Sequence, residues 1–126
     1  MRAQKKILVV EDDKILRDSV SLLLKNSNFE VVEACNGKEG VESALSEHPD
    51  LILLDLIMPV MCGDKALTEI RKDVWGKKVP IIILTNLDST DGRLTEDVVK
   101  GMPLYYLVKA DTDIYEIVKT VKLLMH

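Results

Sequence analysis

The chain has 126 residues, of which 47% are hydrophobic and 30% charged, and its net charge is −4. This length predicts one domain with its own core, and the acidic balance argues against direct nucleic-acid binding, which normally uses a basic face. No apolar run approaches the roughly 20 residues of a membrane helix, and the N-terminus lacks the apolar stretch of a signal peptide. We therefore expect a cytoplasmic protein without a membrane partner.

The apolar residues alternate between two spacings along the chain. Continuous β-rich runs at residues 7–10, 29–34, 51–54, 80–84 and 105–108 predict five strands. Stretches after each run place apolar residues three and four positions apart, which predicts five amphipathic helices. The residues with this helical spacing are Ile15, Leu16, Val20, Leu23 and Leu24 in the first helix, Val41, Ala44 and Leu45 in the second, Ala66, Leu67 and Ile70 in the third, Leu94, Val98 and Val99 in the fourth, and Ile114, Ile117, Val118, Val121, Leu124 and Met125 in the fifth.

Five strands that alternate with five helices predict an α/β fold of the (βα)5 type. Runs such as ILVV, LILL and IIIL are apolar at consecutive positions, as is typical of parallel strands covered by helices on both faces. Right-handed connections then give a doubly wound, flavodoxin-like sheet with strand order 2-1-3-4-5, whose ligand crevice lies where the first and third strands end. We expect residues 1–126 to form this single domain and to leave no room for an output domain.

Polar residues follow four of the predicted strands. The first strand is followed by Glu11 and Asp12, the third by Asp55 and the fifth by Lys109, while Thr85 follows the apolar run of the fourth. Parallel topology brings these residues to one edge of the sheet, where clustered carboxylates repel one another unless a cation compensates them. Oxygen ligands with open positions suit Mg2+, and Lys109 and Thr85 would complete a clamp for an oxyanion such as a phosphoryl group. Asp55 is then a candidate nucleophile.

Each of these residues alone has an ordinary structural explanation. An acidic residue after a strand usually caps the next helix, and Asp13 is better explained as a cap or a surface acid than as a ligand. A single lysine at a strand end is usually a solvated charge. The joint occurrence at the ends of four strands of one sheet favours a functional site.

The same stretches resemble the receiver domain of two-component response regulators, and the chain is similar to the single-domain, chemotaxis-type members. The resemblance covers ILVVEDDKILRDSV, NGKEGVESA, PDLILLDLIMPVMCG, VPIIILTN and YYLVKA, which span essentially the whole chain in the family's order. Its most specific part is Asp55 followed by Met58-Pro59 and then by Gly63.

The resemblance implies a role for each site residue. Asp55 would be phosphorylated by a histidine kinase or a phosphotransfer protein, and Lys109 would pair with the phosphoryl oxygens. Asp12 would bind magnesium directly, Glu11 would act mainly through a metal-bound water, and the backbone carbonyl of Ile57 would complete the protein ligands of the metal.

The resemblance also implies a switch. Thr85 would hydrogen-bond the phosphoryl group and move toward it, and Tyr106 would move inward with Thr85. This change would alter the face formed by the fourth helix, fifth strand and fifth helix (the α4-β5-α5 face), where a downstream protein or a phosphorylation-dependent second copy would bind. The chain would then be a signalling domain that assists its own phosphorylation, and not an enzyme.

Two positions depart from the family's pattern, and two variable positions beside the site are apolar. Ala110 stands where a proline normally follows the lysine in a cis peptide bond, so either a trans bond or a strained cis bond is expected there. Asn86 is larger than the residue usual after the threonine. Ile57 and Leu87 flank the path of hydrolytic water and cannot orient it, which predicts slow self-dephosphorylation.

Two other functions compete with phospho-acceptance. The departures at Asn86 and Ala110 leave open a pseudo-receiver, which would be a phosphorylation-independent protein-binding module. A phosphatase with an aspartyl intermediate is disfavoured, because Ile57 occupies the place where such enzymes carry a second acid.

Overall fold

The computed structural model describes residues 4–85, 105–109 and 112–125. Its centre is a five-stranded parallel sheet in the order β2-β1-β3-β4-β5, which confirms the predicted flavodoxin-like topology. The strands are β1 (Lys6–Val10), β2 (Glu30–Ala34), β3 (Leu51–Leu54), β4 (Ile81–Thr85) and β5 (Tyr105–Val108).

Helices follow the strands in the described part of the chain. They are α1 (Lys14–Asn26), α2 (Gly37–Glu47), α3 (Gly63–Lys72), a short 3-10 helix (Trp75–Lys77) and a last helix, which we call the C-terminal helix (Ile114–Leu124). The predicted fourth helix lies outside the described residues. None of the described helices combines the length and the apolar character needed to cross a bilayer.

The sheet separates two apolar layers, because its strands bury side chains on both faces. One layer contains Leu8, Ile52 and Ile81 packed against α2 and α3, and the other contains Ile7, Leu53 and Ile82 packed against α1 and the C-terminal helix. All four residues of β3 are buried. The central strands β1 and β3 are therefore buried up to the edge where they end.

Strand register places the residues that follow β1, β3 and β5 at the same edge. Val10 pairs with Leu54, and the Asp55 amide donates to the Val10 carbonyl at 3.1 Å. Val108 pairs with Thr85 at the end of β4. The backbone thus carries the first residue after each strand to the carboxyl edge of the sheet.

Two residues that the helical spacing assigned to apolar faces are exposed. Ile15 is 79% exposed and Leu45 is 38% exposed. In α1 the buried stripe runs through Val20, Ser21 and Leu24. Ile15, in the first turn, lies off this stripe, so the assignment of Ile15 to the buried face was wrong.

Candidate functional site

Three carboxylates meet where β1 and β3 end. Glu11, Asp12 and Asp55 each offer one oxygen, and these oxygens lie within 4.8 Å of one another. Glu11 and Asp55 are both only 3% exposed, whereas Asp12 is exposed at the mouth of the site. The predicted acidic cluster is therefore present, with two members buried and one open to solvent.

Lys109 reaches this cluster from the end of β5. Its Nζ lies 2.7 Å from Glu11 Oε1 and 3.1 Å from Asp55 Oδ2. The lysine side chain is 16% exposed, so its charge is held between the two carboxylates and largely away from water. If all four groups are ionised, one ammonium faces three carboxylates and two negative charges remain uncompensated.

The pKa values of the two buried carboxyl groups are raised at this site. Burial raises the pKa of Glu11 to about 7, and the close contact with the Lys109 ammonium opposes the rise while the charge of Asp55 adds to it. Burial also raises the pKa of Asp55, against the opposing charge of Lys109. Burial lowers the pKa of Lys109, but the contacts with Glu11 and Asp55 outweigh that effect and leave it raised. The site therefore favours an added positive charge.

Backbone amides fix the orientation of the buried carboxylates. The Asp13 amide donates to Glu11 Oε2 at 3.1 Å, and the Ile57 amide donates to Asp55 Oδ1 at 3.3 Å. Asp13 itself caps α1, since its Oδ1 accepts from the amides of Ile15 and Leu16. The interpretation of Asp13 as a helix cap is thus confirmed.

Gly63 explains the spacing of the motif that begins at Asp55. The Gly63 amide donates to the Leu56 carbonyl at 2.9 Å, which closes the loop between β3 and α3. A Cβ at this position would collide with the Asp55 carbonyl oxygen and lie 2.7 Å from Leu56 Cα. Only glycine allows α3 to begin so close to the backbone of Asp55.

Arg17 is a site residue that the sequence analysis did not single out. Its Nη1 donates to the Glu11 carbonyl at 2.8 Å and lies 3.4 Å from the Asp12 carbonyl. Side chains on a helix lean toward its N-terminus, so an arginine one turn after the capping Asp13 can reach back to the loop before α1. That position in the sequence was the available signal.

The residues expected to form the switch are only partly described. Thr85 is the last residue of β4, and Tyr106 lies in β5 opposite Ile83. The side chains of Thr85 and Tyr106 lie outside the description, as do Asn86, Leu87 and Ala110 entirely. The expectation of either a trans or a strained cis peptide bond between Lys109 and Ala110 therefore stays a prediction.

The donor set fits a hard divalent cation such as magnesium. All three side-chain ligands are oxygens from carboxylates, and Asp12 faces the opening by which an ion and its waters would enter. Glu11 Oε1 is buried and, within the described residues, accepts no well-aligned hydrogen bond, although Lys109 lies at ion-pair distance. A buried oxygen with unused acceptor capacity beside two more carboxylates is the pattern that a cation satisfies.

Comparison with known proteins decides the family. The family model of the response regulator receiver domain matches residues 7–122. The chain belongs to this family. Receiver domains are signalling modules with a general phospho-acceptor role, and they bind Mg2+ at an acidic pocket.

Individual relatives agree with this assignment. The chain is 36% identical over 92 residues to a probable transcriptional regulator, ycf27, of Porphyridium aerugineum, covering 73% of this chain and 37% of the relative. The solved chemotaxis protein CheY4 of Vibrio cholerae has a TM-score of 0.85 and 29% identity, with 96% and 98% of the two chains covered. The chain thus spans about a third of one relative and nearly all of the other.

A third relative contains a metal. The receiver domain of the sensor histidine kinase PA1611 of Pseudomonas aeruginosa has a TM-score of 0.83 and 30% identity, with 96% of this chain and 97% of that chain covered. That receiver was solved with a magnesium ion coordinated in its active-site cleft.

Proposed function

We propose that this receiver is active and accepts a phosphoryl group on Asp55 from the phosphohistidine of a histidine kinase or a phosphotransfer protein. The observation that carries the proposal is the position of Asp55. Its carboxylate is buried at the end of β3, contacts Lys109 at 3.1 Å, and has oxygens of Glu11 and Asp12 within 4.8 Å. A pseudo-receiver would need none of these arrangements.

The transfer is a displacement at phosphorus. A carboxylate oxygen of Asp55 forms the new P–O bond while the P–N bond to the donor imidazole breaks. The imidazole nitrogen keeps the electron pair of the broken bond and takes up a proton, and Asp55 becomes an acyl phosphate. Lys109 already lies beside the attacking carboxylate, so its ammonium can pair with the negatively charged phosphoryl oxygens once they are attached to Asp55.

Magnesium is the cofactor that we propose for this site. Glu11, Asp12, Asp55 and the backbone carbonyl of Ile57 would hold the ion, with Glu11 acting mainly through a bound water. When bound, it would supply positive charge to the carboxylates and to the phosphoryl oxygens. The metal-bound receiver of PA1611 supports this part of the proposal.

Output would follow from the charge placed on Asp55. We propose that Thr85 and Tyr106 respond to the phosphoryl group and bias the α4-β5-α5 face toward binding a downstream protein or a second copy. Ile57 beside the site cannot orient water, which favours slow self-dephosphorylation. We further propose that the protein acts in the cytoplasm, as a signalling domain and not as an enzyme.

Exposed apolar side chains at the carboxyl edge of the sheet offer a contact surface for the protein that donates the phosphoryl group. Ile15 in the first turn of α1 is 79% exposed, and Ile57 and Val60 in the loop after β3 are 48% and 77% exposed. These residues follow the acidic loop and Asp55 closely in the chain, so they flank the approach to the site. A donor that presents its histidine among apolar residues would bury them.

The test is phosphorylation of the purified protein by acetyl phosphate with magnesium, followed by intact mass. The wild type should gain the mass of one phosphoryl group, Asp55→Asn should gain none, and Asp64→Asn should behave like the wild type, because Asp64 lies in the first turn of α3 outside the cluster. Beryllofluoride with magnesium should likewise bind the wild type and Asp64→Asn, and should not bind Asp55→Asn.

Two results would count against the proposal. If the wild type gains no phosphoryl group and binds no beryllofluoride, the pseudo-receiver function is the better one. If Asp55→Asn is modified as efficiently as the wild type, the acceptor is another residue.

A further inference from the structure

A groove of about 630 Å³ lies between the C-terminal end of α1 and the outer side of the C-terminal helix. Leu23, Val118 and Leu123 give it an apolar lining, which we call its floor, and Tyr115 also lines it. Tyr115 and Leu123 are each 70% exposed although both are large. The groove lies on the helices and not at the acidic edge of the sheet, so the phosphoryl chemistry does not use it.

The C-terminal helix has two stripes, one wholly apolar and one that mixes apolar residues with two lysines. One stripe packs into the core through Ile117, Val118 and Val121. The other faces the groove through residues 115, 118, 119, 122 and 123, which are spaced one, three and four apart on one side of a helix. This second spacing matches the seam along which one helix packs against another.

The charges around the groove select the partner. Lys119 and Lys122 line it, and none of its described lining residues is a carboxylate. This local excess of positive charge stands out in a chain with a net charge of −4. A symmetric contact between two copies would place four lysines and, among the described lining residues, no carboxylate in one interface, which is unfavourable.

We propose that this groove docks an amphipathic helix of another protein, with apolar residues on the floor and acidic residues against Lys119 and Lys122. The interaction uses the side of the C-terminal helix next to α1, away from the acidic site, and does not depend on the state of Asp55. It would give the receiver a second, constitutive attachment point while the acidic site exchanges phosphoryl groups.

The probe is a labelled synthetic helix of about three heptads with leucine at the a and d positions and glutamate at e and g. A second peptide carries lysine in place of glutamate. In fluorescence anisotropy the acidic helix should bind the wild type, its binding should weaken with salt, and the basic helix should bind at least about tenfold more weakly. Amide shifts in NMR should map to residues 23–27 and 115–123.

Matched variants locate the charge requirement. The double variant Lys119→Glu/Lys122→Glu should lose at least about tenfold in affinity for the acidic helix and should gain affinity for the basic one. The control Lys77→Glu/Lys78→Glu changes the same number of exposed charges beside the 3-10 helix, on the α2 and α3 side of the sheet, and should bind like the wild type. Both doubles should still accept phosphate from acetyl phosphate, which shows that they are folded.

Leu123 tests the apolar floor. Leu123→Lys should abolish binding of the acidic helix, whereas Leu22→Lys, at an exposed position of α1 that does not line the groove, should not. Equal binding of the two peptides, or binding unchanged in the Lys119/Lys122 double, would overturn the proposal. So would sedimentation showing a dimer that Leu123→Lys disrupts, because the groove would then be filled by a second copy.

Discussion

Lys109 Nζ lies 2.7 Å from Glu11 Oε1, although β5 and β1 are separated in the sheet by β3 and β4. The same amine reaches Asp55 Oδ2 at 3.1 Å. One ammonium therefore spans the site and compensates two buried carboxylates that come from different strands. The folded protein holds more negative charge in this crevice than Lys109 can balance, and this excess has consequences for stability as well as for function.

The first prediction concerns Glu11 in the metal-free protein. The pKa of Glu11 is about 7 in the folded state and 4.5 ordinarily, so the folded state binds the proton more tightly. The stability that this proton contributes is complete below pH 4.5 and is lost as the pH rises through 7. Glu11→Gln should therefore stabilise the protein at pH 8 by about 1 to 3 kcal/mol, measured by urea unfolding in EDTA.

The gain should shrink as the pH falls from 8 to 5, because wild-type Glu11 becomes neutral over this range. Magnesium should also remove the stability gain of Glu11→Gln, since the Glu11 carboxylate attracts the ion and the glutamine amide does not. The magnesium affinity of the wild type should weaken below pH 7, where Glu11 binds a proton. Asp64→Asn serves as the control and should show neither effect. A variant Glu11→Gln that is less stable than the wild type at pH 8 without metal would contradict the argument.

The second prediction concerns Gly63. A methyl group there meets the Asp55 carbonyl and Leu56 Cα, and backbone cannot move aside as a side chain can. Gly63→Ala should cost about 3 kcal/mol in unfolding free energy and should reduce phosphorylation by acetyl phosphate, because the loop that holds Asp55 must shift.

Gly40 is the matched comparison for Gly63. A Cβ at Gly40 meets only the Val10 side chain, with the nearest atom at 2.8 Å. Gly40→Ala should cost about 1 to 2 kcal/mol, less than Gly63→Ala, since the Val10 side chain can shift and the gain in helix propensity offsets part of the contact. Equal losses in the two variants would show that the clash with the backbone of Asp55 is unimportant.

Part of the fold and of the acidic site was predictable from the sequence, and part was not. Strand order and the meeting of Glu11, Asp12, Asp55 and Lys109 were predictable, because apolar runs and parallel topology determine which residues end at one edge. Ile15 was wrongly grouped with the apolar face of the first helix, since at 3.6 residues per turn it lies about 140° around the helix from Val20. Arg17 was missed because its two acceptors are backbone carbonyls, so the only signal in the sequence was its place one turn after the capping Asp13.

The third prediction tests Arg17. Its guanidinium holds the Glu11 and Asp12 carbonyls and so positions the carboxylates of those residues. Arg17→Met should weaken magnesium binding by about tenfold, as is usual when a residue that supports a metal ligand is lost. Titration calorimetry measures this, and Arg17→Lys should recover part of the affinity. Lys25→Met, on the exposed side of the same helix, should have no effect, and unchanged affinity in Arg17→Met would rule out the positioning role.

The last prediction separates docking of the donor from the chemistry on Asp55. Ile15 is 79% exposed in the first turn of α1 and is neither a member of the carboxylate cluster nor a partner of Lys109. Ile15→Ala should therefore leave phosphorylation by acetyl phosphate unchanged, since that small donor needs only the acidic site. With a purified histidine kinase that phosphorylates the wild type, the same variant should lose about tenfold in kcat/KM, as expected for an apolar residue buried at an interface centre.

Leu22→Ala is the control for Ile15→Ala. Leu22 is also exposed on α1, at 59%, but it lies two turns farther from the acidic loop and should leave both reactions unchanged. Equal losses with kinase and acetyl phosphate in Ile15→Ala would mean that the substitution disturbs the site itself. No loss with either donor would mean that the kinase approaches Asp55 without contacting α1.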